Sequence, residues 1–114
     1  MSSGKQRKRF VPPKIKKILD KFIKALKEEI GDVEVYLFGS YARGTWLEDS
    51  DIDLIIISPS FENMTLEERY KVVRRLASRK HAFELLIYTP NEFRKVRRKS
   101  MVIRDAEEYW IRLA

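Results

Sequence analysis

The sequence predicts an α+β fold in which helices cover a small mixed β-sheet. First, apolar residues recur at helical spacing in some segments and at strand spacing in others. Second, these segments follow one another as helix, strand, short helix, strand, helix, strand and helices, with no internal repeat. Third, 114 residues are enough for one domain with a single hydrophobic core.

The first half of the chain predicts one long helix and two strands. The helix follows Pro12 and Pro13 and ends at Gly31. Its apolar residues recur every three or four positions: Ile15, Ile18, Leu19, Phe22, Ile23, Leu26 and Ile30. Residues 33–38 alternate in the manner of a strand. Residues 51–58 form the second strand, and their near-continuous apolar run predicts that both faces are covered.

The second half predicts a loop at 59–64, a third strand at 82–88 and helices around it. Thr65 and Glu68 have the spacing of a capping box, which predicts a helix start. We expect this helix to turn five residues inward: Leu66, Tyr70, Val73, Leu76 and Ala77. A further helix is predicted over residues 90–99. The last helix is expected to carry Val102, Ala106, Tyr109, Trp110 and Leu113.

The net charge of +7 lies entirely at the N-terminus. Residues 1–17 contain seven of the 24 Lys and Arg residues and none of the 17 Asp and Glu residues, so the remainder is balanced. We predict that residues 1–13 are a disordered basic arm and that residues 14–114 are a single domain. The arm could contact nucleic acid phosphates or serve as a solubilising tail. The balanced body argues against nucleic acid as the main ligand.

Composition excludes several other classes. Without cysteine, the chain cannot form a disulfide framework, a thiolate zinc site or a cysteine nucleophile. Uncharged segments such as residues 54–61 are much shorter than the roughly 18–20 residues of a membrane span, and no signal peptide is recognisable. We therefore expect a cytoplasmic protein without a membrane partner. The 36% charged fraction, above the usual ~25%, favours a thermophilic source.

Two aspartates at the start of the second strand are candidate metal ligands. Side chains two apart in a strand point the same way, about 6.6 Å apart, so Asp51 and Asp53 share a face while Ile52 points into the core. Hard divalent cations such as Mg²⁺ bind carboxylates together with substrate phosphates, and two such ions can clamp a phosphoryl displacement. The alternative is that both acids are solvated where the strand begins.

The turn after the first strand is a candidate phosphate site. Gly39 has no side chain to block a triphosphate, and we expect Ser40 to cap the short helix that follows. The free N–H groups of a helix start favour phosphate, and Arg43, one turn later, could add positive charge. An ordinary strand-to-helix turn is the alternative.

A third acid, Glu84, lies in the otherwise apolar third strand. An unpaired carboxylate is costly to bury there, and a metal shared with Asp51 and Asp53 would remove that cost. The alternatives are a position facing water or a salt bridge to an arginine. Elsewhere, Tyr109 and Trp110 are expected in the core or at a subunit interface. A basic run is read as a solvated face or a site for an acidic or phosphate partner: Lys95, Arg97, Arg98 and Lys99.

Taken together, these motifs resemble a known family. Gly39-Ser40, ten intervening residues, Asp51-x-Asp53 and the later Glu84 resemble the minimal nucleotidyltransferase (MNT) domain of the DNA polymerase β-like superfamily, over nearly all of residues 15–114. The resemblance implies a polymerase β-like palm. It implies transfer of a nucleoside monophosphate, AMP from ATP, to an acceptor hydroxyl with release of pyrophosphate.

The resemblance also implies the roles of individual residues. Gly39 and Ser40 would bind the nucleotide phosphates. The three acids Asp51, Asp53 and Glu84 would bind two Mg²⁺ ions, and the third acid would help to activate the acceptor hydroxyl. The family more often has Asp at the third position, and Glu84 is longer by one methylene group.

Partners follow from the resemblance and from the small size of the chain. Minimal domains of this family are often paired with a helical HEPN protein as the antitoxin, and they can adenylylate that partner. The resemblance therefore implies a second protein chain of HEPN type, or a homo-oligomer that completes the substrate surface. Two other classes stay open: a catalytically degenerate partner-binding domain, and a nucleic acid binding module that uses the basic arm.

Overall fold

The described part of the chain, residues 11–114 of this computed structural model, folds around a four-stranded sheet. The predicted arm, residues 1–13, lies almost wholly outside the described residues. The helices are α1 (Pro13–Glu29), α2 (Gly39–Arg43), α3 (Leu66–Leu76), α4 (Pro90–Lys99) and α5 (Met101–Glu107). The strands are β1 (Glu34–Phe38), β2 (Ile52–Ile57), β3 (Phe83–Tyr88) and β4 (Ile111–Arg112), and a 3₁₀ turn spans Pro59–Phe61. None of the helices within residues 11–114 is long and apolar enough to cross a membrane.

The sheet is mixed, which confirms the predicted fold class. Its strand order is β3-β2-β1-β4. Strand β1 pairs antiparallel with both β2 and β4, whereas β2 and β3 run parallel. In this register Asp53 lies opposite Phe38 on one side and opposite Glu84 on the other. Strand β3 therefore forms one edge of the sheet and carries Glu84 beside Asp53.

Helices cover both faces of the sheet, as the continuous apolar run in β2 predicts. On the first face, Ile52, Leu54 and Ile56 pack in a core that also contains residues of α1 and α3. On the second face, Ile55 and Ile57 pack with residues of α4 and α5. Because side chains alternate along a strand, this division places residue 53 on the second face.

The predicted last helix is wrong at its end. Helix α5 stops at Glu107, and Ile111–Arg112 form the short strand β4, which pairs with Tyr36 and Leu37 of β1. A two-residue strand has no local hydrophobic period that could identify it. It forms because β1 offers a free edge about 75 residues away in sequence, and non-local pairing of this kind overrides helical spacing.

The predicted capping box of α3 is confirmed. The Thr65 hydroxyl accepts a hydrogen bond from the Glu68 N–H at 3.1 Å, and the Glu68 carboxylate accepts one from the Thr65 N–H at 2.9 Å. Helix α4 begins with the same arrangement, formed by Thr89 and Glu92. The two helix starts thus differ little in their local hydrogen bonds.

The predicted inward side of α3 is partly wrong. Leu66 and Tyr70 are exposed, whereas Arg69 is buried with only 4% of its surface accessible. The Arg69 guanidinium donates two hydrogen bonds to the Glu92 carboxylate, at 2.6 and 3.0 Å, and one to the Met64 carbonyl. These acceptors satisfy the buried charge, so a charged residue takes a place that the apolar pattern assigned to others.

Candidate functional site

The parallel pairing of β2 and β3 brings the predicted acids together. Asp53 and Glu84 are direct neighbours in the register and lie on the second face of the sheet. Asp51 precedes β2 by one residue and lies close enough to act electrostatically on Asp53. Glu84 therefore does not point to the opposite face, which would have excluded a shared site.

The surroundings of Asp53 disfavour a negative charge on its carboxyl group. Burial raises the pKa of Asp53 from 3.8 to about 7, with further contributions from the charge of Glu84, the charge of Asp51 and a hydrogen bond to Glu84. Burial and the nearby negative charges both favour the protonated form of Asp53. A cation or a hydrogen-bond donor placed here would relieve the repulsion.

The three carboxylates offer oxygen ligands without forming a closed cage. Asp51 and Glu84 are exposed and Asp53 is partly buried. Within residues 11–114 no three Asp, Glu or His side chains are already arranged around a common metal position. Mg²⁺ is usually bound through one or two carboxylates together with water and substrate phosphate. The donor chemistry therefore fits Mg²⁺ that arrives with a nucleotide.

Gly39 lies directly against Asp53. Its φ angle is +73°, and a Cβ atom built on it would lie 1.8 Å from the Asp53 Oδ2 atom. The predicted cap by Ser40 is wrong, because β1 runs straight into α2 and the helix begins two residues earlier than a cap at Ser40 requires. Phe38 holds the N-cap position without a side-chain hydrogen bond, and Ser40 lies inside the helix.

Replacement of Gly39 by alanine should disrupt the site more than it disrupts the fold. Gly31→Ala is a matched control, because Gly31 also has a positive φ angle, +96°, but nothing lies within 4 Å of its added Cβ. We expect Gly31→Ala to cost roughly 1 kcal/mol of unfolding free energy, from backbone strain alone. Gly39→Ala should cost more and should also displace the Asp53 carboxylate. Urea denaturation and the NMR spectrum of Asp53 test this, and equal effects of the two variants would contradict it.

Arg43 is already engaged by residues that the sequence did not link to the site. Its guanidinium forms an ion pair with Asp105 and lies 4.2 Å from the centre of the Tyr109 ring. The Gly39 N–H donates a hydrogen bond to the Tyr109 hydroxyl at 3.1 Å. Arg43 and Asp105 are 62 residues apart in sequence, and Gly39 and Tyr109 are 70 apart, so no local pattern could have indicated these contacts. Tyr109 had been expected only in a core or an interface.

A cleft of about 510 Å³ lies at the same end of the sheet but on its other side. Trp46 lines it and stacks on Tyr41, with ring centres 5.9 Å apart. Tyr41 and Ile15, which also line the cleft, belong to the core of the first face. The cleft is therefore separated from the carboxylates by the sheet and is not the centre formed by Asp53 and Glu84.

Sequence comparison identifies relatives of this chain. The family model described as "Nucleotidyltransferase domain" matches residues 19–113. A candidate protein adenylyltransferase of Methanocaldococcus jannaschii is 33% identical, over 78% of this chain and 92% of that protein. A second one from the same organism is 44% identical over 50% of this chain, but the match spans only 40% of that protein. A protein adenylyltransferase of Shewanella oneidensis is 36% identical, over 52% of this chain and 42% of its own length.

Two crystal structures superpose on this chain. A crystal structure described as a toxin-antitoxin with AMP-PNP superposes with a TM-score of 0.60 and 26% identity, over 83% of this chain and 71% of the other. A nucleotidyltransferase crystal structure superposes with a TM-score of 0.58 and 29% identity, over 84% of this chain and 97% of the other.

Proposed function

Because the chain belongs to the nucleotidyltransferase domain family, we propose that it transfers the adenylyl group of ATP to an acceptor hydroxyl and releases pyrophosphate. The close approach of Gly39 to the Asp53 carboxylate carries this proposal. It puts a backbone N–H that can bind phosphate beside acids that can bind a metal. The adenylyltransferase names of the relatives and the AMP-PNP in the description of one structural neighbour support adenine as the base.

Each residue of the site has a task in this reaction. The missing side chain of Gly39 leaves room for the phosphates beside the backbone N–H groups of Gly39 and Ser40. Asp51, Asp53 and Glu84 would hold Mg²⁺, which when bound supplies positive charge to the α-phosphate and lowers the pKa of the acceptor hydroxyl. Glu84 is exposed on the edge strand, where an acceptor that approaches from solvent meets its carboxylate and can transfer the hydroxyl proton to it.

The proposed acceptor is a hydroxyl group of a second protein chain. Three of the relatives are named as adenylyltransferases that act on protein, and one structural neighbour is a toxin-antitoxin assembly. Strand β3 leaves Glu84 at an open edge of the sheet, so a partner surface can reach it. A helical HEPN-type chain is the partner that we propose first, and a second copy of this chain is the alternative.

Titration calorimetry with ATP and Mg²⁺ tests the proposed function. The wild-type chain should bind ATP in a Mg²⁺-dependent manner, and the double variant Asp51→Ala/Asp53→Ala should bind at least about tenfold more weakly, as expected when a metal site is removed. Asp49→Ala is the control, because this exposed acid lies in the same segment but lines the cleft on the other side. Wild-type binding that survives in the double variant, or no binding at all, would favour the catalytically degenerate alternative.

A further inference from the structure

Helix α5 and the turn after it contact two groups of α2 that are expected to bind the nucleotide phosphates, the Gly39 N–H and the Arg43 guanidinium. The Gly39 N–H donates its hydrogen bond to the Tyr109 hydroxyl. The Arg43 guanidinium pairs with the carboxylate of Asp105. A neutral oxygen and an anionic carboxylate thus take the places that phosphate oxygens would take. The inference that follows rests on the proposed function, which assigns phosphate to the Gly39 N–H, and on the expectation from the sequence that Arg43 adds positive charge beside it.

A phosphate oxygen and the Tyr109 hydroxyl cannot both accept the Gly39 N–H proton in the same position. The Tyr109 oxygen lies 3.1 Å from the Gly39 nitrogen, inside the 2.7–3.2 Å range in which a phosphate oxygen would have to lie to accept the same proton. The Arg43 guanidinium lies against both the Tyr109 ring and Asp105, so its charge is also partly satisfied. A phosphate oxygen that binds the Gly39 N–H must therefore displace the Tyr109 hydroxyl, and one that pairs with Arg43 competes with Asp105.

We propose that Asp105 and Tyr109 form a latch over the phosphate-binding turn, and that ATP binds the population in which this latch is open. The apparent dissociation constant is then the intrinsic one divided by the open fraction. The latch lowers the affinity for the nucleotide. A partner that moves α5 would change that affinity.

The contacts around the latch permit it to open while the fold is retained. Arg43 and Asp105 keep 47% and 60% of their side-chain surfaces exposed, and exposed ion pairs are weak. The neighbouring Trp110 is fixed, because it stacks on Tyr36 with ring centres 4.1 Å apart. Ile103 anchors α5 in the core of the second face. Opening therefore requires movement of two side chains rather than release of the helix.

Two variants and one control test the latch. Tyr109→Phe removes the hydroxyl and keeps the ring beneath Arg43, and we expect ATP with Mg²⁺ to bind about two- to tenfold more tightly, the effect of one competing hydrogen bond. Asp105→Asn should tighten binding by less, within about fivefold. Asp20→Asn removes an ion pair of comparable exposure in α1, with Lys16, and should leave affinity unchanged.

The kinetics separate a latch from a general structural effect. A larger open fraction raises the association rate, so stopped-flow measurements should place the gain of Tyr109→Phe in association rather than dissociation. If the wild type binds ATP and Tyr109→Phe binds it equally or more weakly, the latch is overturned while the proposed function stands. If neither protein binds ATP, the latch and the proposed function both fail.

Discussion

Asp53→Asn is expected to abolish adenylyl transfer while stabilising the metal-free protein at neutral and alkaline pH. Activity should fall by a factor on the order of 10³ or more, because the substituted carboxylate acts as one unit with its neighbours. Stability should rise because the amide removes the cost of burying a charge and carries no charge beside Glu84 and Asp51. If the proposed function holds, this one substitution should lower activity and raise stability.

Asp53 should make the folded protein less stable as the pH rises. Asp53 has a pKa of about 7 in the folded chain and about 3.8 when unperturbed, so the folded state holds the proton more tightly than the unfolded state. Its contribution to the free energy of unfolding is fully present below pH 3.8 and is lost as the pH rises through about 7. Asp53→Asn should remove this decline.

Urea denaturation between pH 5 and 8 in the presence of a chelator measures the effect. Asp49→Asn is the control, because Asp49 is exposed and lies outside the carboxylate pair. The wild type and Asp49→Asn should lose stability in parallel as the pH rises, while Asp53→Asn should lose less. Parallel curves for all three proteins would show that Asp53 does not carry a raised pKa.

The positions of the candidate site residues could be predicted where they depend on the alternation of side chains along one strand. Alternation along β2 put Asp51 and Asp53 on one face, and its apolar run indicated that both faces were covered. Placement of Glu84 beside Asp53 also required the parallel pairing of β2 and β3. The family resemblance implied that the three acids share a metal site, but the pairing that brings two of them together was not predicted.

The remaining features depend on contacts between distant residues. Tyr109 reaches Gly39 across 70 residues, and nothing near Tyr109 distinguishes it from a core aromatic residue. Strand β4 exists because β1 offers it an edge. Arg69 is buried because an acceptor, Glu92, reaches it from another helix. Hydrophobic period indicates which face an element buries only where local pattern decides it, and it does not identify the partner of that face.

Glu92→Ala is expected to give the largest loss of stability among the variants considered. Removal of this carboxylate leaves the Arg69 side chain, which is 5% exposed, with the Met64 carbonyl as its one remaining acceptor among residues 11–114. Breaking a buried pair on one side costs about 3–5 kcal/mol. We expect about 3 kcal/mol for the lost ion pair, the lower end of that range, since the Glu92 side chain is 42% exposed and water can reach the vacated place. Loss of the helix cap that Glu92 also forms should add about 1 kcal/mol.

The matched variant Glu68→Ala isolates the buried ion pair from the helix cap. Glu68 forms in α3 the same capping box that Glu92 forms in α4, whereas the carboxylate that pairs with the buried Arg69 is that of Glu92. Loss of the cap alone should cost about 1 kcal/mol. The difference between the two variants, about 3 kcal/mol in urea denaturation, then measures the burial of the unpaired Arg69 charge. Equal losses would mean that Arg69 finds solvent or another acceptor, and that the contact between α3 and α4 contributes little to the fold.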